Sequence, residues 1–111
     1  MQSDKNLVRL RHIIDAVNDV IRLSFGKKRT DLESDQMFGL AMVRLIEIIG
    51  EAANSIDSDF RSNYPGIPWS QMIATRNRLI HGYYEVENDL IWEIINKDMP
   101  DLQKKLKLIK V

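Results

Sequence analysis

The segment Ile73-Ala74-Thr75-Arg76-Asn77-Arg78-Leu79-Ile80-His81-Gly82-Tyr83-Tyr84 puts two arginines, an amide, an imidazole and two phenols at the end of a predicted helix. An imidazole, with an unperturbed pKa of about 6.5, can accept or donate a proton near neutral pH. A guanidinium is a planar cation that suits a two-point grip on a phosphate or carboxylate. Proton transfer beside a held anion is therefore the chemistry that these residue types offer. Asn77 can orient either His81 or a ligand.

Spacing limits how those groups meet. At about 100° per residue, Asn77 and His81 fall nearly in line, as do Arg76 and Tyr83, whereas Arg76 and His81 diverge by roughly 140° on a straight helix. Either the helix unwinds at His81-Gly82, where glycine is a common terminator, or the two groups converge with partners from another helix or a second subunit. Each residue also has a plain structural reading: Arg76 as counter-ion of Glu51, His81 as a cation at a helix C-terminus, Tyr83 as a core aromatic.

The elements that must carry this segment read as helices. Asp4 is a candidate N-cap for a helix from about Lys5 to Phe25, with Leu7, Leu10, Ile14, Val17 and Ile21 as its apolar stripe and Gly26 as its stop. His12 lies on that helix without a nearby chemical partner and is expected at the surface or its edge. A second helix is predicted over Ser34 to Ile56, apolar nearly all round between Leu45 and Ala53 and hence the most buried. Glu47 and Glu51 interrupt its apolar wall. A carboxylate near a core needs a partner, and the arginines around His81 are the expected ones. Gly50 with Ala52 and Ala53 would let a neighbouring helix come close.

Asp57 to Ile67 reads as a turn region, with Tyr64-Pro65-Gly66 as its signal. Pro68 suits a first helical turn and Trp69 a core anchor, so the third helix runs from Pro68 or Trp69 to about His81. Asn88 or Asp89 caps a fourth helix bearing Leu90, Ile91, Ile94 and Ile95. Pro100 should kink or restart it near Asp98, before a last stripe of Leu102, Leu106 and Ile109. The fold class is all-α: an antiparallel bundle of four to five helices, one domain over residues 1–111.

Composition narrows the functional classes. Sixteen Lys and Arg balance sixteen Asp and Glu, so the whole chain has no general attraction for nucleic acid, and only local patches such as Lys27-Lys28-Arg29 could supply one. The chain has no cysteine, which removes disulfides and thiolate metal sites and fits a reducing cytoplasm. No apolar run reaches the roughly 20 residues of a membrane span, and a soluble, cytoplasmic protein is expected. His12 and His81 are too isolated for a metal ligand set, so neither a metal nor a cofactor is expected. The five glycines are scattered and form no phosphate loop.

The run Arg76-Asn77-Arg78-Leu79-Ile80-His81-Gly82-Tyr83 resembles the Arg-x4-His-x-Tyr motif of the HEPN superfamily, in particular its HepT toxins. Further resemblance lies in Arg44-Leu45-Ile46-Glu47-Ile48-Ile49-Gly50-Glu51-Ala52, in Tyr64-Pro65-Gly66-Ile67-Pro68-Trp69 and in Val86 through Trp92, covering most of the chain from Arg44 to Leu102. The resemblance implies a helical bundle that forms a homodimer with two motifs facing one another. It implies a metal-independent endoribonuclease, the toxin of a type VII-like toxin–antitoxin pair, with Arg76 and His81 catalytic. It also implies a minimal nucleotidyltransferase antitoxin that handles ATP and transfers AMP to Tyr83. Asn77 and Glu51 are candidate supporting residues.

The residue chemistry is compatible with that reading. RNA carries its own nucleophile, the 2′-hydroxyl, so cleavage needs a proton acceptor, a proton donor and positive charge on the developing phosphorane. One histidine does half of a two-base mechanism, and a facing subunit would supply the second. The alternative reading is a non-catalytic helical binding subunit of a nucleotidyltransferase.

Overall fold

A computed structural model describes residues 2–81 and 87–109, with side chains from Lys5 to Leu79 and over 87–109. The chain is helical almost throughout these residues. Helix α1 spans Gln2–Ser24, and Gly26, at a φ of 78°, turns the chain away from it. A positive φ of that size is costly for any residue with a Cβ, which is why glycine suits this position. Two pieces follow, the single turn α2 over Asp31–Ser34 and the long helix α3 over Gln36–Ser55. A short helix α4, Ser58–Ser62, leads to α5 over Trp69–His81. Helix α6, Asn88–Glu93, widens into a π-helical turn at Ile94–Asp98 and continues as α7, Met99–Lys107.

Helix α3 is the hub, flanked by α1 and α5, while α7 closes the bundle against α1. Its Met42, Ile46, Ile49 and Ala53 are fully or nearly fully buried and meet Leu10, Ile13, Val17 and Val20 of α1, Met72 and Leu79 of α5, and Ile94, Leu102 and Leu106 beyond. Burying each Leu, Ile or Met contributes on the order of 1.5–3 kcal/mol, and this stripe matching outweighs the propensity of any one helix. The all-α bundle expected from the periodicity is the architecture found.

Several boundaries differ from the expectation, each for a local reason. Helix α1 starts at Gln2, so Asp4 is inside the helix and does not cap it. The α1 stripe is rotated: Ile13 and Val20 are buried, while Leu7, Ile14 and Ile21 lie half-buried at its edge. The predicted second helix starts two residues late, at Gln36, because Asp35 is extended and its carboxylate accepts from Phe38 N at 3.2 Å. That cap satisfies one of the donors that a helix start leaves free.

The turn region after α3 holds α4, and it is tied to α1 by Asn6. Asn6, 3% exposed, donates to the Asp57 carboxylate at 3.3 Å and accepts from Asp57 N at 3.2 Å. Trp69 is the anchor expected of it: the ring is buried, and its Nε1 donates to the Tyr64 carbonyl at 3.0 Å. Near Pro100 the chain restarts without breaking, because the wide turn at Ile94–Asp98 comes first and Pro100 falls in the first turn of α7, where its missing N–H is harmless. Among the described residues no helix is long and apolar enough to cross a membrane.

Candidate functional site

Arg76 lies two-thirds of the way along α5, on the side that meets α3. What it meets there is Gly50. A Cβ built on Gly50 would overlap the Arg76 Cβ, and would stand 2.9 Å from Arg76 Cγ and 2.8 Å from the Met72 carbonyl oxygen. The bare Cα of α3 is thus the seat on which the Arg76 stem rests, the close approach that the Gly-Glu-Ala-Ala stretch suggested.

Among the described residues the guanidinium is held at one end only. Its Nη1 donates to Asn77 Oδ1 at 3.0 Å, while its Nε is buried without a hydrogen-bond partner. Among the described residues Arg76 makes no ion pair. A half-buried cation facing no carboxylate retains its capacity to bind an anion. Asn77, exposed beside it, accepts this bond through Oδ1, while the His81 side chain that it was also expected to orient lies outside the described residues.

The expected pairing of Glu47 and Glu51 with the arginines around His81 is not formed. Both carboxylates turn to Arg44 on their own helix, at 3.8 Å from Glu47 and 3.4 Å from Glu51. The spacing explains this: positions 44, 47 and 51 lie within about 60° of one another on α3, whereas the approach to α5 is filled at Gly50 by the Arg76 stem. Glu51 lies instead in an open groove between α3 and α1, together with Ile48, Ala52, Lys5, Arg9 and His12. His12 is exposed on the rim of that groove, as its sequence position suggested.

Arg78 has a carboxylate partner, which Arg76 lacks among the described residues. Its Nε donates to Glu87 Oε1 at 3.1 Å and its Nη2 lies 3.0 Å from Glu87 Oε2, a two-point pair joining α5 to the start of α6. The start of α6 is also fastened from Asp89 to Arg29, which in turn holds Glu33 at 2.9 Å. Neither Arg44 nor Glu87 was singled out from sequence as a counter-ion; the 44/47/51 spacing could have found the first.

Helix α5 reaches His81, whose side chain lies outside the described residues, as do Gly82, Tyr83 and Tyr84. Among the described residues no group of three His, Asp or Glu side chains gathers closely enough to hold a metal ion.

Comparison with known proteins agrees with this architecture. A family model described as "Ribonuclease HepT-like" matches residues 13–109. A Methanocaldococcus jannaschii protein named "Putative RNase" is 35% identical over 100 residues, which cover 90% of this chain and 92% of the relative. One of the same name from Caldanaerobacter subterraneus subsp. tengcongensis is 36% identical over 100 residues, covering 90% and 89%. The "Probable ribonuclease HepT" of Thermococcus cleftensis is 36% identical over 80 residues, covering 72% and 73%. No solved structure is a significant match.

Proposed function

The chain belongs to the ribonuclease HepT-like family, and from that premise we propose that it is a metal-independent endoribonuclease toxin acting as a homodimer. The observation that carries the reading is the Arg76 guanidinium: seated on Gly50, oriented by Asn77, and facing no carboxylate among the described residues. A cation whose stem is locked and whose charge is unspent suits a phosphodiester and the phosphorane formed from it. The relatives' names, "Putative RNase" and "Probable ribonuclease HepT", agree with RNA as the substrate.

In the proposed reaction the 2′-hydroxyl oxygen attacks the adjacent phosphorus and the P–O5′ bond breaks. His81 takes the 2′-proton, and the partner subunit's His81 gives a proton to the departing O5′ oxygen. Arg76 carries the charge that develops on the equatorial oxygens. The products are a 2′,3′-cyclic phosphate and a 5′-hydroxyl, and no metal-bound nucleophile is required because RNA supplies its own. Asn77 supports the site through Arg76. Glu51, next to Gly50 on α3 and held by Arg44, is the other supporting residue of this reading.

The control proposed for this activity is covalent: a nucleotidyltransferase antitoxin transfers AMP from ATP to Tyr83, the Tyr83 oxygen attacking the α-phosphate and pyrophosphate leaving. The added phosphodiester would place negative charge two residues from His81, against substrate phosphate. Expression of the chain alone should arrest growth in the cytoplasm of a bacterial host, and Arg76→Ala or His81→Ala should abolish the arrest while the protein still accumulates. Coexpression with the nucleotidyltransferase should restore growth and add AMP to the tryptic peptide holding Tyr83. A chain that binds the nucleotidyltransferase tightly but never arrests growth would instead be a non-catalytic subunit.

A further inference from the structure

We propose that Gly50 is a positioning residue for the Arg76 guanidinium, its missing side chain being the feature that buries Nε and fixes the direction of the fork. The inference rests on the reading of Arg76 as the phosphate-binding cation. Two successive turns of α5 touch this one Cα: Met72 through its carbonyl oxygen and Arg76 through Cβ and Cγ, with a Cβ on Gly50 lying 2.8 Å from the first and 2.9 Å from the Cγ. Because the overlap involves the α5 backbone and the root of the arginine, no rotamer change relieves it. A methyl group there must move α5 itself.

The seat and the Asn77 bond act together. With the stem pressed on Gly50 and Nη1 on Asn77 Oδ1, the guanidinium plane has little freedom, and the buried Nε–H is turned away from solvent. Glu51, next to Gly50 in sequence, is occupied by Arg44 and does not neutralise the cation that the seat presents. A rigidly placed charge is what stabilises a transition state, since misplacement by about 1 Å can cost on the order of a hundredfold in rate.

Helix α3 contains its own control. Gly39 is also tightly packed, a Cβ there standing 2.9 Å from the Leu32 carbonyl oxygen, but its neighbour is α2 and not the Arg76 seat. Alanine is the better helix former at both positions, so any loss on substitution comes from the contact. The test compares full-length Gly50→Ala and Gly39→Ala. In the arginine Nε–H region of a nitrogen-15 spectrum, the Arg76 signal should exchange slowly with solvent in the wild type and in Gly39→Ala, and rapidly or at a shifted position in Gly50→Ala.

Cleavage of a fluorescent RNA should fall in kcat/KM by on the order of a hundredfold for Gly50→Ala, with kcat carrying most of the loss, and by less than about twofold for Gly39→Ala. If Gly50→Ala does not fold, adding Arg76→Gly removes the overlapping Cβ and leaves only the Met72 carbonyl contact, comparable to the one that Gly39→Ala makes with Leu32, so the double variant should fold as Gly39→Ala does; a double variant that stays unfolded while Gly39→Ala folds overturns the seat. A folded Gly50→Ala with a protected Nε–H and unchanged cleavage overturns the proposal, as does an equal loss in Gly39→Ala. A wild type that cuts no RNA would remove the ribonuclease reading, while the Nε–H exchange would still decide whether Gly50 positions Arg76.

Discussion

Replacing Arg76 by methionine should leave the protein at least as stable as the wild type while removing its activity. Methionine follows the arginine stem through Cγ and puts a methyl group where the buried, unpartnered Nε now lies. Relief of one unsatisfied buried donor is worth about 1–3 kcal/mol, and the lost bond from Nη1 to the neighbouring, exposed Asn77 costs about 0.5–1.5 kcal/mol. The contact with Gly50 is kept, because the Cβ and Cγ that make it are retained. The balance favours the variant by about 1 kcal/mol, a rise of roughly 3–6 °C in Tm for a domain of this size. Urea unfolding followed by far-ultraviolet circular dichroism and by tryptophan fluorescence would measure it, coincident curves justifying a two-state treatment. A methionine variant less stable than the wild type by 1 kcal/mol or more would show that Nε is satisfied, and the reasoning from a strained, functional arginine would fall.

Other consequences are as direct. Burial, with Glu93 and Asp101 adding like charge, holds the Asp98 carboxyl above its ordinary pKa, while Gln71 Nε2 donates to it at 3.3 Å. A carboxyl whose pKa is raised on folding binds its proton more tightly in the native state, so stability falls as pH rises from the unfolded to the folded pKa, and the loss is complete above it. Asp98→Asn, which keeps an acceptor for Gln71, should therefore be more stable than the wild type at pH 7 and indistinguishable from it below pH ~3; equal stabilities at both pH values would contradict the assignment. Asn6→Ala removes both bonds to Asp57 from a buried position and should cost about 1–3 kcal/mol in urea unfolding without changing cleavage rates at temperatures where the variant is folded. A loss under 0.5 kcal/mol would mean that solvent replaces the amide there.

Helical periodicity made the bundle legible, and turn chemistry marked Gly26 and the start of α5 at Trp69. The detail of α1 was harder, because Ile13, Ile14, Val20 and Ile21 are adjacent pairs and either member satisfies a helical stripe; which one is buried depends on how α1 rolls against α3. The start of α3 at Gln36 depends on one side-chain cap at Asp35, a short-range choice that apolar periodicity does not reveal. At the site, the sequence showed a cation, an amide and a glycine that would admit a close neighbour. It did not show that the glycine and the cation are the same contact, since positions 50 and 76 meet only through the packing of α3 on α5. The acidic partners were misplaced for the opposite reason: the carboxylates found a local arginine, Arg44, before any distant one.

The central claim is most directly tested by incubating the purified chain, freed of any AMP and kept in excess chelator, with an RNA that it cuts and with the same RNA carrying a single 2′-deoxy nucleotide at the cut position. Arg76 and His81 acting on a 2′-hydroxyl nucleophile predict cleavage of the first to a 2′,3′-cyclic phosphate, none at the substituted position of the second, and none of either by Arg76→Ala or His81→Ala. Cleavage at the deoxy position, or undiminished cleavage by either variant, would contradict the account.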